Sequence, residues 1–193
     1  MLLTEGYREQ QRKLHEDPNY GTASVAYAAI VAGAMNIYRP SELLDYGAGK
    51  QRLKEAIEPR LKRQVNYRPY EPADPQCCER PHPSQFVACV DVLEHIEPEC
   101  LDAVLDDLKR VTKRAGVFTV STVPAMKVLP DGRNAHLIVK PLEWWLPKFM
   151  DRFLVYTMQR LPDGFFVVVE RRPDGNHNVS GTAVGDRLAV ETG

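Results

Sequence analysis

Short apolar runs alternate with stretches of helical period along most of the chain. Leu43-Leu44 runs into Asp45 and a glycine turn, while Phe86 to Val90 and Val117 to Val120 read as buried strands. The clearest helix carries Leu101, Val104, Leu105, Leu108 and Val111 on one stripe, with Pro98 in its first turn and Gly116 at its exit. Its acids come early (Glu97, Glu99, Asp102) and its bases late (Lys109, Arg110, Lys113, Arg114), the order that the helix dipole favours. Another helix is predicted from about Lys50, presenting Leu53, Ala56, Ile57 and Leu61, with Pro59 kinking or ending it. Upstream, a weak helical period covers Thr4 to His15, a turn follows at Asp17 to Gly21, and a small-residue helix spans about Thr22 to Asn36 before Pro40.

After the strand ending at Ser121 and Thr122 comes a long connection, then a helical piece opening near Pro141 with Glu143, Trp144 and Trp145. The Trp pair reads as packing rather than as a stacking platform. FLVYTM and FFVVVE, joined through Pro162-Asp163-Gly164, form a hairpin. Strands alternating with helices and closing in a hairpin predict an α/β fold: a Rossmann-like, mostly parallel sheet with a terminal antiparallel hairpin. One domain is expected over residues 1–170, with 1–40 as a helical lid region. The polar, glycine-containing segment 171–193 reads as a disordered tail.

The turn LLDYGAGK, Leu43 to Lys50, lets a ligand approach the backbone closely. A dinucleotide fingerprint would need a third glycine where Arg52 stands. A nucleotide-phosphate loop would need a glycine at Leu44 and a hydroxyl at Gln51. What remains is Asp45, the loop Gly47-Ala48-Gly49, and a second acid, Glu71, 26 positions after Asp45 at the end of the run VNYRPYE. That spacing fits one βαβ unit whose second acid can accept hydrogen bonds from a ribose.

From Tyr20 to Glu170 these residues resemble the class I S-adenosylmethionine-dependent methyltransferases. Asp45, Gly47 and Gly49 match the family's acid-x-Gly-x-Gly-x-Gly loop, and Asp91 to His95 match its DVLEH-like phrase. The phrase GRNAHL, Gly132 to Leu137, is similar to one in small, phage-type members. Two departures stand out. Gln51 replaces the loop's third glycine, and only fourteen residues, rich in proline, separate Glu71 from Phe86, so the family's third strand is shortened or lost. Asp74 is a weak counterpart for the acid near the adenine amine.

The resemblance implies S-adenosylmethionine as cofactor. Asp45 would hold its methionine amine, Glu71 its ribose, and Asp91, Val92 and Leu93 its adenine or methionine side, with Gly47, Ala48 and Gly49 beneath it and Tyr20 as a lid. On the acceptor side stand His95, Arg133, Asn134 and His136, with His136 and His95 as the candidate catalytic residues; a histidine at the position of His95 also serves as a helix-entry residue. Methylation at oxygen or nitrogen of a small-molecule or nucleotide acceptor is expected, because the chain has neither an Asn/Asp-Pro-Pro-aromatic phrase nor a Pro-Cys dipeptide. A non-catalytic binding module of the same fold and an aminopropyl transferase are the rival readings.

Composition adds exclusions. A net charge of −1 gives no strong nucleic-acid signal, and the absence of a long apolar run or leader pattern predicts a cytoplasmic protein without a membrane span. Cys77, Cys78, Cys89 and Cys100 show no zinc spacing, so no metal is expected. Lys50, Arg52 and Lys54 read as a solvated face. Oligomeric state is not legible.

Overall fold

The computed structural model describes residues 1–17, 20–21, 23–61 and 63–173. The expected disorder beyond Pro173 lies outside these residues, as do Pro18 and Asn19 of the predicted turn and Thr22 at the predicted helix start. Among the described residues six strands form one sheet: β1 (Glu42–Tyr46), β2 (Asn66–Tyr70), β3 (Ser84–Val90), β4 (Thr112–Ser121), β5 (Phe153–Leu161) and β6 (Gly164–Arg171). Their order is β2-β1-β3-β4-β6-β5; the first four are parallel, and β6 is antiparallel to both β4 and β5. The predicted sheet and its terminal hairpin are therefore present. No strand lies between β2 and β3, so β2 is the sheet edge and the shortened third-strand region is confirmed.

Helices cover both faces, which explains why β3 and β4 read as continuous apolar runs rather than as alternation. On one face, the stripe of α4 (Leu101–Val111) packs with Trp145 and Phe149 of α5 (Leu142–Met150) against Leu44, Val87, Phe118 and Val167. On the other, Val31 and Met35 of α2 (Ala28–Tyr38) and Leu53 and Ile57 of α3 (Arg52–Ile57) meet Leu43, Phe86, Ala88 and Val117. Trp145 is fully buried, whereas Trp144 is partly exposed beneath the Lys148 ammonium, 4.5 Å from the ring centroid. The Trp pair is thus divided between core and surface.

Two predicted boundaries move. α2 begins at Ala28, after a single 3-10 turn over Ala23–Val25. α4 ends at Val111, and Gly116, expected at a helix exit, lies inside β4 opposite Val87. The strand wins because the parallel partner approaches closely: a Cβ at Gly116 would stand 2.8 Å from the Val87 carbonyl oxygen. Thr112 closes the helix by donating its hydroxyl to the Leu108 carbonyl at 2.7 Å.

The proline-rich segment 71–83 is stapled to α4 by charge instead of joining the sheet. Arg80 reaches Asp107 at 2.7 and 3.1 Å, Arg110 joins the same carboxylate at 2.8 Å and also holds the Pro81 carbonyl, and the Tyr46 hydroxyl donates to Asp107 at 3.2 Å. Burial raises the Asp107 carboxyl, but Arg110 and Arg80 outweigh it and hold it below the ordinary range.

Gln51, at the position of the missing third glycine, adopts the left-handed conformation, φ 58°, that a glycine supplies without strain. The loop therefore keeps its path and the side chain carries the cost. Gln51→Gly is expected to raise stability by about 0.5–1 kcal/mol, relief of left-handed strain exceeding the added chain entropy. A urea melt with an unchanged or lower midpoint would show that no such strain is stored.

Candidate functional site

The carboxyl ends of the parallel strands fall side by side along one rim of the sheet. Gly47-Ala48-Gly49 follows β1, Glu71 follows β2, Asp91 follows β3, and Ser121 ends β4 beside Asp163 of the β5–β6 turn. Chain order reverses across β1 and β3, the place where open α/β sheets leave a crevice for ligands. A cavity of about 410 Å³ opens there, lined by all of these residues. This is within the range, about 300–1,000 Å³, of ligand pockets.

The glycine turn is held from below and from the side. Gly47 and Ala48 both donate their N–H groups to the Tyr70 carbonyl, at 2.8 and 2.9 Å, and Gly49 donates to Glu71 Oε2 at 3.0 Å. Gly47 has φ 80°, and a Cβ there would lie 2.4 Å from a Val92 methyl, so a side chain at this position would be strained and would displace Val92. The other Glu71 oxygen accepts from Ala73 N–H at 3.1 Å. Each carboxylate oxygen keeps a second lone pair for a ligand. Asp91 also takes a left-handed conformation, φ 58°, fixed by its N–H donating to Thr119 Oγ1 at 2.9 Å. Asp tolerates this region better than most residues, and the bend turns the chain from β3 into the cavity wall.

The N-terminal helix α1 (Glu5–Glu16) contributes residues that the sequence reading missed: Tyr7, Gln11 and His15 line the cavity. Their spacing of four was the available signal, since it places all three on one helical face. The Tyr20 hydroxyl donates to Gln11 Oε1 at 3.0 Å, Gln11 Nε2 donates to the Tyr7 hydroxyl, and Tyr7 donates to the His95 carbonyl. Glu97 accepts from both the N–H and the hydroxyl of Thr4 at 2.8 Å, and Lys127 pairs with Asp17 at 2.6 Å. α1 is thereby fastened to the turn after β3 and to the 123–137 connection. Burial lowers the His15 pKa, with Lys50 adding to the effect against Glu71. Lys50 itself donates to the Asp17 carbonyl.

His95 and His136 stand together across the cavity from the glycine turn, edge to face with ring centroids 4.7 Å apart. Nδ1 of His95 lies 2.8 Å from the Ala135 carbonyl oxygen, and Nδ1 of His136 lies 2.6 Å from that of Val123. A carbonyl only accepts, so each Nδ1 carries a proton, and either ring, when neutral, has its Nε2 lone pair free. The Asp91 carboxylate is 3.9 Å from His95 Nε2. Burial pulls the His95 pKa down, but Asp91 and Glu94 more than compensate and raise it; burial and the neighbouring His95 lower that of His136. Asn134 fixes this wall: its Oδ1 accepts from the N–H groups of Ala125 and His136, both at 2.9 Å, and its Nδ2 donates to the Ala125 carbonyl at 2.8 Å. Arg133 is paired with Asp131 at 2.7 Å in the turn outside.

The predicted residues Gly47, Ala48, Gly49, Glu71, Asp91, Val92, Tyr20, His95 and His136 are all brought to one cavity. Leu93 is fully buried in the core and Asp45 is 2% exposed, neither of them on the cavity wall. Asp45 accepts the Tyr67 hydroxyl of the neighbouring strand. Where no metal ligands were expected from cysteine spacing, the fold assembles three other donors, Asp91, His95 and His136, whose ligand atoms lie within 4.8 Å of one another.

No protein-family model matches the sequence, and no curated protein matches it. Solved structures do. The 1,6-didemethyltoxoflavin-N1-methyltransferase of Burkholderia thailandensis, bound to 1,6-didemethyltoxoflavin and S-adenosylhomocysteine, aligns over 86% of this chain and 89% of its own with a TM-score of 0.62 at 15% identity. The mitomycin 7-O-methyltransferase MmcR aligns over 86% of this chain with a TM-score of 0.62 at 14% identity, and the alignment spans 60% of its length. An S-adenosylmethionine-dependent methyltransferase from Aquifex aeolicus aligns over 86% and 98% with a TM-score of 0.53 at 14% identity. The chain has the fold of the class I methyltransferases.

Burial raises the Asp45 carboxyl from 3.8 to about 7, against the Tyr67 hydrogen bond and with help from Glu71. The folded chain thus keeps a proton that the unfolded chain releases first. The stability this contributes is complete below 3.8 and is lost as pH rises to about 7. Asp45→Asn, whose amide oxygen can still accept from Tyr67, is expected to flatten that decline. Urea midpoints from pH 4 to 8 that fall in parallel for both proteins would refute the assignment.

Proposed function

We propose that this chain is an S-adenosylmethionine-dependent methyltransferase acting on an oxygen or nitrogen of a small-molecule or nucleotide acceptor. The observation that carries this reading is the Glu71 carboxylate, held at the rim by the Gly49 N–H of the same glycine turn, with lone pairs left for ribose hydroxyls. The residues present fit the cofactor. Gly47, Ala48 and Gly49 offer a floor without bulk, and Glu71 and Asp91 give a negative wall suited to a cation. Lys50, next to the turn in the chain, donates to the Asp17 carbonyl.

When bound, the cofactor supplies a methyl group on a positively charged sulfur, open to in-line displacement. The protein's work is positioning, which can contribute up to roughly 7–11 kcal/mol to the barrier reduction. Glu71 would fix the ribose, Val92 and Asp91 would border the adenine or methionine side, and Tyr20 with α1 would exclude water. Asp45 supports β1 through Tyr67 rather than from the cavity wall. His136, half-buried in the long connection, presents Nε2 to the acceptor and can accept its hydrogen bond and then its proton, with His95 behind it.

Methylation of small molecules is what the B. thailandensis and mitomycin enzymes do. The acceptor here is taken to be similarly small, because the cavity lies under α1. No described helix is long and apolar enough to cross a membrane.

Calorimetric titration with S-adenosylmethionine and S-adenosylhomocysteine is expected to show saturable binding, weakened at least about tenfold by Glu71→Ala, the loss of a charged hydrogen-bonding partner. His136→Ala should leave that binding intact and lower methyl transfer by about 10²–10⁴-fold in assays with labelled donor. Failure of the folded wild-type chain to bind either ligand would sink the reading. Binding without transfer to any of a panel of hydroxyl and amine acceptors would favour the non-catalytic module.

A further inference from the structure

We infer that Asp91, His95 and His136 form a binding site for one divalent first-row transition-metal ion, open toward the cavity. Two imidazoles and a carboxylate are the donor set that zinc, manganese, iron, cobalt and nickel accept, and they meet here from two separate parts of the chain.

The imidazole orientation is the strongest observation. Each ring has its Nδ1 tied to a backbone carbonyl, Ala135 for His95 and Val123 for His136, and so turns an Nε2 lone pair inward. Ligating histidines are held in this way, their second nitrogen anchored to a carbonyl or carboxylate that fixes tautomer and ring plane. One such anchor is common; two on neighbouring rings, beside one carboxylate, need a reason. The carbonyls are themselves fixed, since Asn134 clamps the 123–136 loop at Ala125 and His136.

The spacing agrees. At 3.9 Å, Asp91 Oδ2 and His95 Nε2 are too far apart for a hydrogen bond, and the three donor atoms lie within 4.8 Å of one another. An ion at about 2.0–2.2 Å from each donor sets neighbouring donors roughly 3–3.5 Å apart. Closing the widest gap brings two donors together by roughly 1.3–1.8 Å, shared between their side chains. Asp91 is placed for this by its left-handed bend and its bond to Thr119, a local strain of about 1–3 kcal/mol of the kind that functional sites retain.

Three protein donors leave coordination positions for water or a ligand, the arrangement of a working rather than a structural ion. Those positions face the cavity, which all three residues line. An acceptor hydroxyl bound there would give its proton to solvent more readily. Ion binding does not require methyl transfer to be the activity, so either can fail alone.

The test uses the whole chain, stripped with chelator and titrated calorimetrically with zinc and, separately, with cobalt, whose visible d–d absorption reports nitrogen and oxygen ligation. One ion per chain is expected, with affinity falling at least tenfold in His136→Gln and in Asp91→Asn. His82→Gln, an exposed histidine outside the cavity, should bind as the wild type does. Circular dichroism melts identify any variant that is merely unfolded, and His136→Gln, on the half-exposed ring, then decides. No binding of either metal by the wild type, or binding unchanged in His136→Gln, would overturn the site. Titration with S-adenosylhomocysteine on the same samples reads the cofactor reading independently.

Discussion

The Tyr70 carbonyl, accepting two consecutive N–H groups from the glycine turn, ties the end of β2 to the exit of β1, and the rest of the site is built around that junction. Once Gly47 and Ala48 are hung there, Gly49 N–H meets Glu71, and the side of Gly47 becomes the seat for Val92 at the end of β3. Three strand ends are thereby locked in one geometry by four short contacts. A Cβ at Gly47 would break the lock at its centre, because Val92 already occupies that volume.

Around this junction the chain makes economical substitutions for missing parts. Where a further strand would flank β2, a proline-rich segment is held by Arg80 and Arg110 on the buried Asp107 carboxylate. Prolines cannot donate to a sheet ladder, so the segment is unsuited to strand pairing. Where a glycine would relax the turn into α3, Gln51 accepts the left-handed conformation. Both devices preserve the rim on which the cavity depends.

The cavity itself is closed from a distance. α1 crosses from Thr4 at Glu97 to Asp17 at Lys127, and its inward face of Tyr7, Gln11 and His15 completes the wall opposite the strand ends. The Tyr20–Gln11–Tyr7 hydrogen-bond chain ends on the carbonyl of His95, joining the covering helix to the histidine pair. α1 and the histidine wall are therefore joined by one continuous run of hydrogen bonds.

Periodicity and turn chemistry determined much of this protein. The α4 stripe, the apolar runs of β3 and β4, the Pro162-Asp163 hairpin and the acid-ended strands were legible because local spacing and burial agree there. Glu71, the glycine turn and the Asp91–His95 phrase could be singled out because each combines a strand end with chemistry. Tertiary structure decided the rest. Gly116 became a strand residue because β3 needed close approach, which no local pattern records. Asp45 left the cavity because Tyr67, 22 residues away, captured its carboxylate. His136 met His95 and Asp91 only through the fold of the long connection, since convergence of side chains across 41 residues depends on the packed path of the chain and not on spacing within it.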